Sequence, residues 1–236
     1  MACRENTFCR KLLQTLFTAL FILISVAKAF AADPASSQYD PSSSYSHTNL
    51  FGIEAQGDKF VYVFDRSGSM GEAGGKPLRE AKKQLVASLN NLDQRSQFYL
   101  IFYNDQPRLF DLGNSHGRLI FATPSNKQQA EEFVSGIQAS GGTDHMAALS
   151  VALRLQPDVI FLLTDGEEKD DPSPDDLKRI DRINGGGAQI NVIQFAEAER
   201  PDSNLIKLAH QNRGKHVFVD IMHYGEKQSA TTAAHK

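Results

Sequence analysis

The chain has 236 residues, 41% of them hydrophobic and 22% charged, which is ordinary for one soluble globular domain with tails. Its formal net charge is -3, and residues 1–31 carry Arg4, Arg10, Lys11 and Lys28 against Glu5 alone, so the remainder holds 21 basic and 27 acidic groups, a net charge of -6. A surface of that sign repels phosphate backbones and argues against nucleic acid as a partner. Both cysteines, Cys3 and Cys9, fall in the first segment, so the rest forms no disulfide and depends on packing.

Residues 1–31 open with a basic cluster and continue into an apolar run from Leu12 to Ala27. The run is short of the roughly 20 residues that span a bilayer, and Ala27, Ala29 and Ala31 offer the small-x-small pattern of a cleavage site. The segment reads as a signal peptide, with an N-terminal membrane anchor as the alternative. Either one exports the folded part, which is then periplasmic, secreted or held on the outer face of the cytoplasmic membrane. The compact, cysteine-free form suggests a bacterial module. Residues 32–57 are rich in Ser and poor in aliphatic side chains and read as a disordered tether; residues 222–236 read as a disordered tail.

Between them, apolar runs alternate with helix-length segments, the pattern of a mostly parallel sheet of about six strands covered by helices in three α/β/α layers. Strands are expected at Phe60–Phe64, Phe98–Tyr103, Val159–Thr164, Gln189–Phe195 and His216–Val219, with an edge strand from Pro107 to Leu112. The continuous run Val159 to Leu163 implies burial on both faces. Helices are expected at Leu78–Asn90, with Pro77 in the first turn, and at Lys127–Ile137, His145–Leu155, Pro174–Ile183 and Asn204–Gln211. Ser173 followed by Pro174 and Asp176 resembles a capped start.

In open sheets of this kind ligands bind at the carboxyl ends of the strands. Asp65-Arg66-Ser67-Gly68-Ser69 follows the first of these strands, Thr164-Asp165-Gly166 ends another, and Gly141-Gly142-Thr143-Asp144 precedes a helix. Asp65, Ser67, Ser69, Thr143 and Asp165 form a set of oxygen donors without sulfur or imidazole. Such a set suits a hard cation, Mg²⁺ first, with Mn²⁺ or Ca²⁺ as substitutes. Only two of the five groups are charged, so an open position on the ion would still attract a carboxylate from a partner.

The runs Phe60 to Met70, Gly141 to Asp144 and Phe161 to Gly166, in that order, resemble the von Willebrand factor type A domain over about residues 58–221. In that family they form the metal ion-dependent adhesion site. The resemblance implies a Rossmann-like fold. It also implies that Ser67 and Ser69 ligate the ion directly, that Thr143 alternates between direct and water-mediated contact, and that Asp65 and Asp165 act largely through waters. The function it implies is a non-enzymatic, metal-dependent module that binds a protein ligand presenting an Asp or Glu.

Two rivals are a phosphatase or phosphotransferase of the haloacid dehalogenase type and a scaffold whose metal is only structural. The former needs a second acid two residues after Asp65, where this chain has Ser67. Gly74-Gly75-Lys76 is not a phosphate-binding loop, because Met70 and Pro77 stand where Gly and Ser or Thr are required. Glu167, Glu168, Asp170, Asp171, Asp175 and Asp176 read as a solvated rim whose last members favour a helix start, with a second cation site as the alternative.

Overall fold

The computed structural model describes residues 45–113, 117–196, 198–221 and 223–224. The expected signal or anchor segment, the tether as far as residue 44 and nearly all of the expected tail lie outside them. Among the described residues no helix is long and apolar enough to cross a membrane.

The first described elements depart from the expected tether. Ser46–Leu50 (β1) and Ile53–Gly57 (β2) form an antiparallel hairpin in which Leu50 pairs with Ile53. Phe51 and Gly52 both take positive φ, at 49° and 82°, as a two-residue turn matched to the twist of its strands requires. Alternate residues of each strand are buried, and Leu50 and Ile53 are fully so. Burial of the polar members is made tolerable by hydrogen bonds. The Thr48 hydroxyl lies 2.7 Å from Ser88 Oγ and donates to the Ser88 carbonyl, and the Tyr62 hydroxyl closes the cluster 2.8 Å from Ser88 Oγ.

The expected α/β architecture is present, with seven strands in the main sheet rather than about six. Lys59–Asp65 (β3), Gln97–Tyr103 (β4), Val159–Thr164 (β7), Gln189–Ala196 (β8) and His216–Asp220 (β9) run parallel in the order β4-β3-β7-β8-β9. Pro107–Leu109 (β5) and the two-residue Ile120–Phe121 (β6) both pair antiparallel with β4. Every residue of β7 and all but the first of β3 and β4 are buried or nearly so, as apolar runs covered on both faces should be.

The helices are Glu72–Asn90 (α1), Pro124–Ser135 (α2), His145–Arg154 (α3), Pro174–Asn184 (α4) and Asn204–Gln211 (α5). The first opens with three left-handed residues, Ala73, Gly74 and Gly75, and becomes regular only near Pro77, in keeping with the expected start. The second begins three residues before the expected position, because Thr123 caps it by accepting from Asn126 N and Pro124 fills its first turn. At α4 the reciprocal bonds between Ser173 and Asp176 complete a capping box.

From β3 the chain passes through α1 to β4 on one side, and later returns through α3 to β7 on the other. The connections therefore diverge at the carboxyl end of β3, where Asp65 stands beside Tyr103 in register and next to the end of β7.

A chain beginning at Asp58 loses Leu50, Phe51 and Ile53 from the core and should show a clearly lower urea midpoint than one beginning at Ser44, or be insoluble. Ser88→Ala removes the hydroxyl that the buried Thr48 and Tyr62 share and should cost about 1 kcal/mol in the same measurement.

Candidate metal centre

Asp65, the last residue of β3, is fully buried. One carboxylate oxygen accepts from the Ser67 backbone N–H at 2.7 Å and the other from the Thr164 hydroxyl at 2.8 Å. The first bond folds the chain back over the strand end, so that the hydroxyls of Ser67 and Ser69 meet at 3.1 Å. Ser67 is almost entirely buried, while Ser69 is half-exposed.

Asp165 follows β7, and its carboxylate is within hydrogen-bonding range of the Ser69 side chain. The turn after it requires Gly166, with φ 60°, because a side chain there would collide with Gln194. The Gly166 N–H donates to the Thr164 hydroxyl, which ties this loop to Asp65. Thr143 is half-buried in a third loop that is joined to the first by two backbone bonds, Gly68 N to Gly141 O at 2.9 Å and Ser140 N to Arg66 O at 2.8 Å. Gly141 takes φ 78° and comes so close to Asn104 and Asp105 that a Cβ would lie about 2.5 Å from their side chains. Asp65 at the strand end and the other four expected residues on the adjoining loops thus meet at one end of the sheet, with direct contacts among Asp65, Ser67, Ser69 and Asp165.

The electrostatics are those of a site short of positive charge. Burial, and then the nearby charge of Asp165, push the Asp65 carboxyl up to about 7. Burial likewise raises Asp165, against the opposing hydrogen bond from Ser69. One Asp165 oxygen, Oδ2, is buried without a hydrogen-bond partner among the described residues. A buried and a part-buried carboxylate, an orphaned buried oxygen and two adjacent hydroxyls fit a small oxygen-seeking dication. No cluster of three His, Cys, Asp or Glu side chains suited to a metal occurs among the described residues, so such a site depends on its hydroxyls.

Several residues support the site in ways that local spacing does not reveal. Thr164 bridges Asp65 and Gly166, and its hydroxyl also lies within hydrogen-bonding range of the buried Tyr103 hydroxyl. Tyr103 in turn lies 2.8 Å from Nδ1 of His145, which is buried at the start of α3, two residues after Thr143. Burial holds His145 down to about 4, so it is neutral at physiological pH. Asn104 and Asp105, just past β4, shape the Thr143 loop: Asn104 donates to Ser140 O at 2.7 Å, and Asp105 accepts from Gly142 N at 2.8 Å. Their position after a strand end is the signal that could have found them.

Other side chains have definite structural roles. Arg66 donates to Asn104 and Ser140. Asp144 caps α3 by accepting from Ala147 N. In the acidic stretch, Asp171 accepts from the Ser203 hydroxyl and Asn204 N, Asp175 pairs with Lys178 and Glu167 with Lys169, in line with a rim and helix-start role. Beside Ser69 and Asp165 opens a cavity of about 500 Å³, with Pro77, Phe195 and Arg200 in its walls.

The sequence model of the von Willebrand factor type A domain matches residues 60–222, and the chain belongs to that family. Among curated proteins, inter-alpha-trypsin inhibitor heavy chain H4 of Homo sapiens is 30% identical over 129 residues, 49% of this chain and 13% of that one. Its Bos taurus counterpart is 29% identical over 120 residues, 45% of this chain and 12% of its own. The chain thus spans roughly an eighth of the length of these relatives. Among solved structures, von Willebrand factor type A from Catenulispora acidiphila superposes with a TM-score of 0.62 at 21% identity, covering 81% of this chain and 50% of that one. Proximal thread matrix protein 1 of the mussel byssus, described with a zinc-occupied MIDAS motif, gives 0.53 at 17% identity over 73% of this chain and 44% of that one. At these identities the structural likeness establishes the fold.

Two outcomes follow from this geometry. Asp65 binds its proton more tightly in the folded chain than in the unfolded one, so without metal it makes the protein less stable as pH rises from about 4 through 7. The slope is at most about 1.4 kcal/mol per pH unit for one proton. Urea midpoints in chelator should fall over that range, and excess Mg²⁺ should flatten or reverse the trend. Tyr103→Phe cuts the link between His145 and Thr164, leaves His145 Nδ1 buried without its partner, and should cost about 1–3 kcal/mol of stability while weakening Mg²⁺ binding severalfold.

Proposed function

We propose that this chain is a non-enzymatic, metal-dependent protein-binding module that works outside the cell, and that it holds one divalent cation, Mg²⁺ by preference, at Asp65, Ser67, Ser69, Thr143 and Asp165. The observation that carries the reading is the buried Asp65 carboxylate and the part-buried Asp165 carboxylate beside two touching hydroxyls, in which the buried Asp165 Oδ2 atom has no hydrogen-bond partner among the described residues.

When bound, the ion supplies an electrophilic position that takes a carboxylate oxygen from a partner. The rest is done by the chain. Ser67 and Ser69 present neutral oxygens, so the inner shell does not cancel the dication. Asp65 holds the Ser67 backbone in place and would supply negative charge to the ion, while Asp165 would supply a second charge and orients Ser69. Thr143 completes the set from a loop whose backbone bonds to the first loop keep it within reach. The partner contributes an Asp or Glu. The zinc-occupied MIDAS of the mussel protein, on the same fold, supports a divalent ion here.

Phosphoryl transfer of the haloacid dehalogenase type lacks its general acid: the side chain two residues after Asp65 is Ser67, and its hydroxyl faces Ser69. Calorimetry should show one Mg²⁺ or Mn²⁺ bound by the full chain and none by Asp65→Ala. Unchanged metal binding in that variant would refute the assignment.

A further inference from the structure

The cavity beside the metal centre shares Ser69 and Asp165 with it, so a group seated on the ion lies at the cavity's edge. At about 500 Å³ it is too large for a carboxylate alone and suits one or two further side chains of a ligand. Its inner wall is apolar, formed by Pro77, Phe195, Ala196 and Ile221. This wall is also firm. Pro77 and Phe195 are buried, and the Phe195 ring is braced from behind by Phe51 of the hairpin turn, edge to face at 5.0 Å.

The charged lining is selective. Glu72 and Glu167 line the opening. Among the described lining residues the cation is Arg200, which is engaged by the Gly166 carbonyl and by Asp171, 3.6 Å away. A second acid next to the metal-bound one would therefore meet the exposed carboxylate of Glu72, a Glu167 already paired with Lys169 and an arginine already engaged with protein groups. An apolar neighbour would gain burial against the inner wall.

We propose that this cavity is a specificity subsite of the metal centre, and that the partner's metal-seeking residue is an acid flanked directly by a large apolar side chain that fills it. The proposal rests on the reading of the site as a metal-dependent acceptor of carboxylates, and it names the peptide class that reading leaves open. The hairpin acquires a functional consequence, since its turn residue Phe51 packs against Phe195, which underlies the cavity.

The test uses the full chain in Mg²⁺ and blocked tetrapeptides, acetylated and amidated so that no terminal charge competes. NMR titration compares Gly-Asp-Leu-Gly and Gly-Leu-Asp-Gly with Gly-Asp-Gly-Gly, Gly-Asp-Asp-Gly and Gly-Asp-Lys-Gly. One of the two leucine peptides should bind about tenfold tighter than the glycine peptide, and the double-acid peptide weaker than it. Ala198 lines the cavity and is exposed, so Ala198→Trp should fill the space without disturbing the core. That variant should keep its affinity for Mg²⁺ and for the glycine peptide while losing the leucine preference. Equal binding of the leucine and glycine peptides, a preference for the lysine or double-acid peptide, or a leucine preference that survives Ala198→Trp would overturn the subsite and leave the metal reading standing. Mg²⁺ binding with no acid peptide bound more tightly than in chelator would overturn the acceptor reading itself, and the subsite with it.

Discussion

Asp65 and Asp165 stand at the ends of adjacent parallel strands, the first fully and the second partly withdrawn from water, and the charge of Asp165 adds to the cost of ionising Asp65. Buried charge of one sign is expensive unless it is paired. Much of the surrounding architecture can be understood as holding this pair in place. Backbone and hydroxyl donors from Ser67 and Thr164 satisfy Asp65, Ser69 approaches Asp165, and the third loop is bonded down so that Thr143 stays near. A core of continuous apolar strands keeps the two strand ends in register, and the divergence of connections at β3 opens the crevice above them.

Support reaches the site from beneath as well. The Tyr103–His145 contact joins the end of β4 to the start of α3, and so couples the loop that carries Thr143 to the strand beside Asp65. On the far side, the hairpin is anchored through Thr48, Ser88 and Tyr62 and delivers Phe51 to the back of Phe195. Elements distant in sequence thereby set the shape of the metal face and of the cavity next to it. In this arrangement stability and recognition are linked, because loosening the hairpin loosens the cavity wall.

What could be read from the sequence follows from what kind of signal each part carries. β3 and β7 are uninterrupted apolar runs, and the motifs Asp65 to Ser69 and Thr164 to Gly166 come directly after them, so both the strands and the loop positions were legible. The hairpin was not. Its buried positions include Ser46 and Thr48, whose burial depends on bonds to Asp93 N and Ser88 formed only in the folded chain, and hydrophobic alternation is correspondingly weak. Helix α2 was placed three residues late because its start lies in a cap, Thr123-Pro124, rather than in its apolar face. The bridging role of Thr164 and the contact of Tyr103 with His145 are illegible for a related reason. Their roles arise from contacts across strands, to which local spacing gives no clue.

The central claim is that Asp65 is an uncompensated buried charge until a dication binds. Asp65→Asn tests it most directly, because it keeps the shape and removes the charge. In chelator at pH 8 the variant should melt at or above the temperature of the native chain, whereas in excess Mg²⁺ the native chain should rise well above a variant that barely responds, so that the order of stability crosses. A variant less stable than the native chain in chelator, with both chains shifted equally by Mg²⁺, would contradict the account.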